Sequence, residues 1–133
     1  MLFFLTLFFA WVESNFINLA TIMKIYLDFD GTVVEHQYPA IGQYNSGCIE
    51  VIDKLNKARH EIVLNTMRVE FDNGTLKDAL EFINRMMITL GNNNQIYSFE
   101  NTNHKYEPTM WNWNLHFNSG CIFIDDVCEG IPP

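Results

Sequence analysis

Short apolar runs that close on acidic or hydroxyl residues alternate along this chain with stretches of helical period. Lys24-Ile-Tyr-Leu-Asp-Phe29 is followed at once by Gly31, the pattern of a buried central strand that ends in a loop. From Cys48 to Arg59 the apolar positions Cys48, Val51, Ile52, Leu55 and Ala58 keep the spacing of one buried helical face, with Ser46 as the expected N-cap. Glu61-Ile-Val-Leu-Asn-Thr66 reads as a second strand. Thr75 with Asp78 resembles a capping box that opens a second helix through Leu76, Ala79, Leu80, Ile83, Met87 and Leu90, stopped at Gly91 and the Asn92-Asn93-Asn94 turn. On it the Met86-Met87 pair is core filler. Gln95–Phe99 forms a third strand of weaker pattern, and Cys121-Ile-Phe-Ile-Asp-Asp126 a last one ending in carboxylates. Strand and helix in alternation predict an α/β fold: a three-layer, Rossmann-like parallel sheet with helices on both faces.

Between these elements, residues 35–47 carry Pro39, Gly42 and Gly47 and read as an ordered loop or flap. Residues 100–120 are polar and aromatic without clear period, a loop with a helical turn around Met110–Leu115. Trp111, Trp113 and Phe117 in it read as packing beneath a long loop. No internal repeat is present.

Composition narrows the function. The chain has 133 residues, 48% of them hydrophobic, which suits a single domain with a sizeable core. Eight Lys and Arg against sixteen Asp and Glu give a net charge of −8, which argues against a basic grip on nucleic acid. A metal-dependent site acting on phosphates remains compatible, because a bound cation reverses the local field. Cys48, Cys121 and Cys128 form no closed disulfide set and no zinc spacing, so they read as reduced thiols in a cytoplasmic protein. Of the histidines His36, His60, His104 and His116, none has ligand spacing to another.

Residues 1–22 differ from the rest. Residues 1–12 are apolar apart from Thr6, a run short for a bilayer span. No Lys or Arg precedes the run, as a secretory signal requires, and the first basic residue is Lys24. Three readings stand: an upstream, non-native start ahead of a domain beginning at Met23; a membrane-associating helix; and a signal peptide. Residues 23–133 carry the domain.

The chemistry lies at the strand ends. Asp28-Phe-Asp30-Gly-Thr32 and Asp125-Asp126 each follow an apolar strand, and ligands of open α/β sheets bind beyond the carboxyl ends of strands. Carboxylates converging there repel one another; a hard divalent cation removes the conflict, and Mg²⁺ suits few carboxylates with phosphate and water. A calcium loop fails, because Gly31 falls fourth where the sixth place requires glycine and Pro39 stands in the twelfth. A Walker loop fails because the chain contains no Gly-Lys-Ser/Thr.

At these residues the chain resembles the haloacid dehalogenase-like hydrolases. Ile25-Tyr-Leu-Asp28-Phe-Asp30-Gly31-Thr32 is similar to their first motif, Ile62-Val-Leu-Asn-Thr66 with Arg68 to their second, and Ile122-Phe-Ile-Asp125-Asp126 to their fourth. Glu35-His-Gln-Tyr-Pro-Ala-Ile-Gly42 looks like a stretch of small members of that superfamily. The resemblance implies Asp28 as the nucleophile that forms an aspartyl-phosphate, and Asp30 as the acid for the leaving oxygen and then the base for water. It implies Mg²⁺ held by the Asp28 carboxylate, the Asp30 backbone carbonyl and Asp125 or Asp126. Thr66 would bind a phosphoryl oxygen. Lys105, by its place in the order, would bind phosphate and balance its charge, with Lys77 and Arg68 as the alternatives.

Between Asp30 and Thr66 there is room for a loop and a helix but not for an ordinary cap domain. The sequence also stops at Pro133, where relatives continue with a helix, so a fold truncated there or completed by a partner is expected. The expected function is therefore a capless, Mg²⁺-dependent phosphatase acting on a phosphomonoester. A variant of the same chemistry takes 3′-phosphate ends of nucleic acid, with Trp111 and Trp113 as stacking surfaces, against which the acidic balance counts. The rival is a non-catalytic metal-binding or regulatory module on the same scaffold. Membrane contact requires residues 1–22 to be native.

Overall fold

The structure, a computed structural model, describes residues 22–101 and 121–125. Its elements in chain order are strand β1 (Lys24–Asp28), helix α1 (Cys48–Lys57), strand β2 (Glu61–Asn65), a 3₁₀ turn (Met67–Glu70), helix α2 (Thr75–Thr89), and strands β3 (Phe99–Glu100) and β4 (Cys121–Ile124). The strands form a parallel sheet in the order β3-β2-β1-β4, with β1 and β2 in its middle. This is the Rossmann-like α/β architecture that the alternation predicts.

Register explains the core. Ile25 stands beside Ile62 and Ile122, and Leu27 beside Leu64 and Ile124. These six side chains line one face of the sheet. They are buried against Ile49, Ile52 and Leu55 of α1 and Ala79, Ile83 and Met87 of α2. Strand alternation puts Tyr26, Val63 and Phe123 on the opposite face; the Tyr26 and Phe123 rings stack there at 4.8 Å. Both described helices touch each other and share the first face, so any helical layer on the second face belongs to residues outside those described. Among the described residues no helix is long and apolar enough to cross a membrane. The expectations for residues 1–21 and for the turn at Met110–Leu115 also lie outside them.

Local differences from the sequence reading have physical causes. The N-cap of α1 is Gly47 at φ 87°, not Ser46, and no side chain caps it; instead the Tyr44 hydroxyl accepts from Ile49 N at 3.0 Å and donates to Glu50 at 2.7 Å. The helix ends at Lys57, and Arg59 turns the chain at φ 71°. In α2, Thr75 is not the cap but the first helical residue, following Gly74; Asn73 Oδ1 accepts from its N–H at 3.1 Å and its hydroxyl at 2.6 Å. The third strand is only Phe99–Glu100. Upstream of it the Asn84 side chain accepts from Ile96 N and donates to Ile96 O, taking both bonds that a longer ladder would use.

Candidate active site

Three polar side chains reach one row at the carboxyl ends of adjacent strands. Asp28 is in register with Asn65, and because Leu27 pairs with Ile124, Asp125 follows beside Asp28. The alternation of the strands puts Asp28 and Asn65 on the face opposite the helices. Asp28 is half-buried, and Asn65 and Asp125 are buried. Asp28 and Asp125 thus stand at the strand ends expected from the sequence, whereas Asn65 was not expected among them, its only signal being its place as the last strand residue before Thr66.

The turn after β1 is wound around Phe29. Its carbonyl accepts from the amides of Thr32, Val33 and Val34, while Gly31, at φ 92°, donates to Val34 O at 2.7 Å. A non-glycine residue strains at such a φ, so this tight return requires Gly31. The return puts the Thr32 hydroxyl 2.9 Å from Asp28 Oδ2, to which it donates. Thr32 is fully buried and held from behind by Asn45, which donates to its carbonyl at 2.8 Å.

Asp30 is aimed elsewhere. Its two carboxylate oxygens accept from Arg68 Nε and Nη2, each at 2.7 Å. Arg68 is 1% exposed and lies in the 3₁₀ turn directly after β2. Thr66, the residue before that turn, accepts from Arg68 N through its own hydroxyl at 3.1 Å. A hydroxyl that accepts in this way keeps its O–H to donate, which suits the phosphoryl contact implied for Thr66.

The other expected residues fall as follows. Lys77 lies on the solvated side of α2, 3.7 Å from Glu81. Lys105 and Asp126 lie outside the described residues, as do Trp111 and Trp113. Among the described residues no three His, Cys, Asp or Glu side chains gather as a metal cluster. With the Asp30 carboxylate turned to Arg68, only its backbone carbonyl is left for the ligand role that the resemblance gives it. Asp28, at the end of β1, and Asp125, directly after β4, are two hard oxygen donors at the same end of the sheet. Such a donor set fits Mg²⁺, which takes one or two carboxylates and completes its shell with water and substrate phosphate. Between Asp30 and the start of β2 the chain makes only the loop and α1. A groove of about 510 Å³ runs along α2, lined by Leu76, Lys77, Leu80, Asn84, Ile88 and Tyr97 among others; Asp28, Asp30, Thr66 and Asp125 do not line it.

No protein-family profile matches the chain, and no curated protein does. Among solved structures, that of a conserved protein coded by a locus from Bacteroides thetaiotaomicron is similar to it. The TM-score is 0.55 and the identity 25%, over 85% of this chain and 83% of the other.

Proposed function

We propose that this chain is a capless phosphomonoester hydrolase of the haloacid dehalogenase-like type, working with Mg²⁺ through an aspartyl-phosphate. The observation that carries the reading is the row at the carboxyl end of the sheet: Asp28 closing β1 and Asp125 directly after the neighbouring parallel strand β4, with Asp30 and Thr66 in the turns that leave the two central strands.

In this reading the Asp28 carboxylate oxygen attacks phosphorus while the bond from phosphorus to the ester oxygen breaks. Asp30 gives its proton to that leaving oxygen. Water then attacks the phosphorus of the aspartyl-phosphate, Asp30 takes the proton of that water, and inorganic phosphate leaves with Asp28 restored. Thr32 keeps Asp28 in its attacking rotamer through the 2.9 Å bond to Oδ2. The Thr66 O–H steadies a phosphoryl oxygen, and Lys105 balances charge on the phosphoryl group. Asp28, the Asp30 carbonyl and either Asp125 or Asp126 would hold Mg²⁺, which would supply the charge neutralisation that an anionic nucleophile needs to approach an anionic ester.

Hydrolysis of p-nitrophenyl phosphate by the full chain tests the reading. Activity is expected with Mg²⁺, absent after chelation and absent in Asp28→Asn. Undiminished turnover in Asp28→Asn would refute the nucleophile. One observation favours a second reading, a non-catalytic module: the bidentate hold of Arg68 on Asp30. That reading expects Mg²⁺-dependent binding of inorganic phosphate, by calorimetry, with no turnover of any ester in a phosphometabolite panel.

A further inference from the structure

The guanidinium of arginine carries five N–H donors, and in Arg68 every one has an acceptor. Nε and Nη2 take the two Asp30 oxygens, Nη2 also reaches Ala40 O at 3.0 Å, and Nη1 donates to Thr75 O at 3.1 Å and Pro39 O at 3.4 Å. The acceptors come from the turn after β1, the loop before α1 and the start of α2. The rings of Phe29 and Tyr38 each lie 5.1 Å from the guanidinium carbon.

No donor is left for a phosphoryl oxygen, so balancing phosphate charge is not the task of this arginine. Charge alone is a poor reason to bury it, since desolvation opposes burial. The distinctive gain is geometric: a planar fork fixes the plane of the carboxylate it grips. A carboxylate offers about four lone-pair sites; the fork occupies two and leaves the others facing away from Arg68, and on the phosphatase reading these are the ones that would meet a water or a leaving oxygen.

We propose that Arg68 is a positioning residue, whose fork sets the direction of the Asp30 carboxylate and fastens the Pro39-Ala40 stretch beside it. The part concerning turnover rests on the phosphatase reading; the clasp itself does not.

The test compares wild type, Arg68→Lys, Arg68→Ala and Asp30→Asn by p-nitrophenyl phosphate kinetics and by hydrogen exchange of residues 35–42. Arg68→Lys keeps the charge without the fork. It is expected to lower kcat by about 10²-fold while KM stays within about twofold, and free guanidinium is expected to restore part of the rate to Arg68→Ala. Exchange in the loop should quicken in Arg68→Lys but not in Asp30→Asn, which retains the bonds to Ala40 and Pro39. Wild-type kcat in Arg68→Lys would overturn the proposal. So would a rise in KM alone, which would put Arg68 on the phosphate, and so would unchanged loop exchange. If wild type hydrolyses nothing, the functional reading fails, and loop exchange still decides the clasp. If the single Arg68 variants do not fold by circular dichroism, the neutral pair Asp30→Asn/Arg68→Gln is compared with Asp30→Asn. Faster loop exchange in the pair supports the clasp, and equal exchange overturns it.

Discussion

Thr32 and Asp28, four residues apart on either side of a tight return, are joined by a 2.9 Å hydrogen bond from the hydroxyl to Oδ2. The donor is fully buried and itself anchored by Asn45, so the carboxylate is held by a fixed group rather than by a mobile one. Thr32→Val keeps the shape and removes the donor. A supporting hydrogen bond of this kind is commonly worth about 10–100-fold in activity or metal affinity. A fall in that range in kcat/KM for p-nitrophenyl phosphate is expected, with the fold intact by circular dichroism. A variant as active as wild type would show that Asp28 is oriented by other groups.

A second prediction concerns the far end of the sheet. Asn92 is 4% exposed and donates to Asp53 at 2.8 Å and to Asn56 at 3.1 Å. It joins the segment after α2 to α1. Asp53 is itself buried and pairs with Lys57 at 2.9 Å. Asn92→Ala leaves those acceptors one donor short in a poorly hydrated place, for which a loss of about 1–3 kcal/mol is expected in urea unfolding. Asn92→Asp is expected to cost more, since it sets one carboxylate against another. Helices that cross over between parallel strands run back against them, so their C-terminal ends lie away from the strand carboxyl ends. Turnover per folded molecule should therefore be unchanged in both variants.

What could be read beforehand follows from the range of the interactions. The core strands and the buried faces of α1 and α2 are local patterns with a fixed period, and they are where the sequence reading puts them. So are Asp28 and Asp125, because an apolar strand ending on a carboxylate is a local signal and parallel pairing brings such ends together. The caps were not legible. Tyr44 and Asn73 reach the helix starts from preceding turns, while Gly47 and Gly74 hold the αL positions at φ 87° and 81° that Ser46 and Thr75 were not needed to fill. Asn84 replaces sheet bonds at Ile96 from twelve residues away. The Arg68–Asp30 pair spans 38 residues. Its sole trace in the chain is an arginine two places after Thr66, which charge alone does not distinguish from a phosphate ligand.

A third prediction tests the loop beside the site. It is closed by Glu35 N donating to Gln43 O at 2.8 Å and Asn45 N donating to Val33 O at 2.9 Å. Gly42 sits so close to the returning chain that an added Cβ would lie 2.0 Å from the Glu35 carbonyl oxygen. A backbone oxygen cannot swing aside as a side chain can, so Gly42→Ala must spread the loop. Overpacking of this order costs about 1–3 kcal/mol. Lower thermal stability and faster exchange at Gln43 are the expected readouts, and a variant as stable as wild type would mean that the close approach does not persist in solution.

The last prediction is a pH dependence with its sign. Cys48 is fully buried at the start of α1, and burial, with Glu50 adding to it, pushes its thiol well above the ordinary 9.0. Tyr44 is pushed above its ordinary 10.0 by burial first and then by its bond to Glu50. Both groups hold their protons in the folded chain at pH values where the unfolded chain has lost them. Their share of stability is therefore complete below the unfolded values and is lost as pH rises past them. Tm is expected to decline from about pH 9 upward, and Cys48→Ala should flatten the first part of that decline while lowering Tm at neutral pH through the volume lost. Dithionitrobenzoate at about pH 8 should leave Cys48 unmodified in the native protein and reach it only on unfolding, because a buried, protonated thiol is a poor nucleophile. Rapid modification of Cys48 under native conditions would show that the start of α1 opens readily, and with it the Tyr44–Glu50 contact that replaces the helix cap.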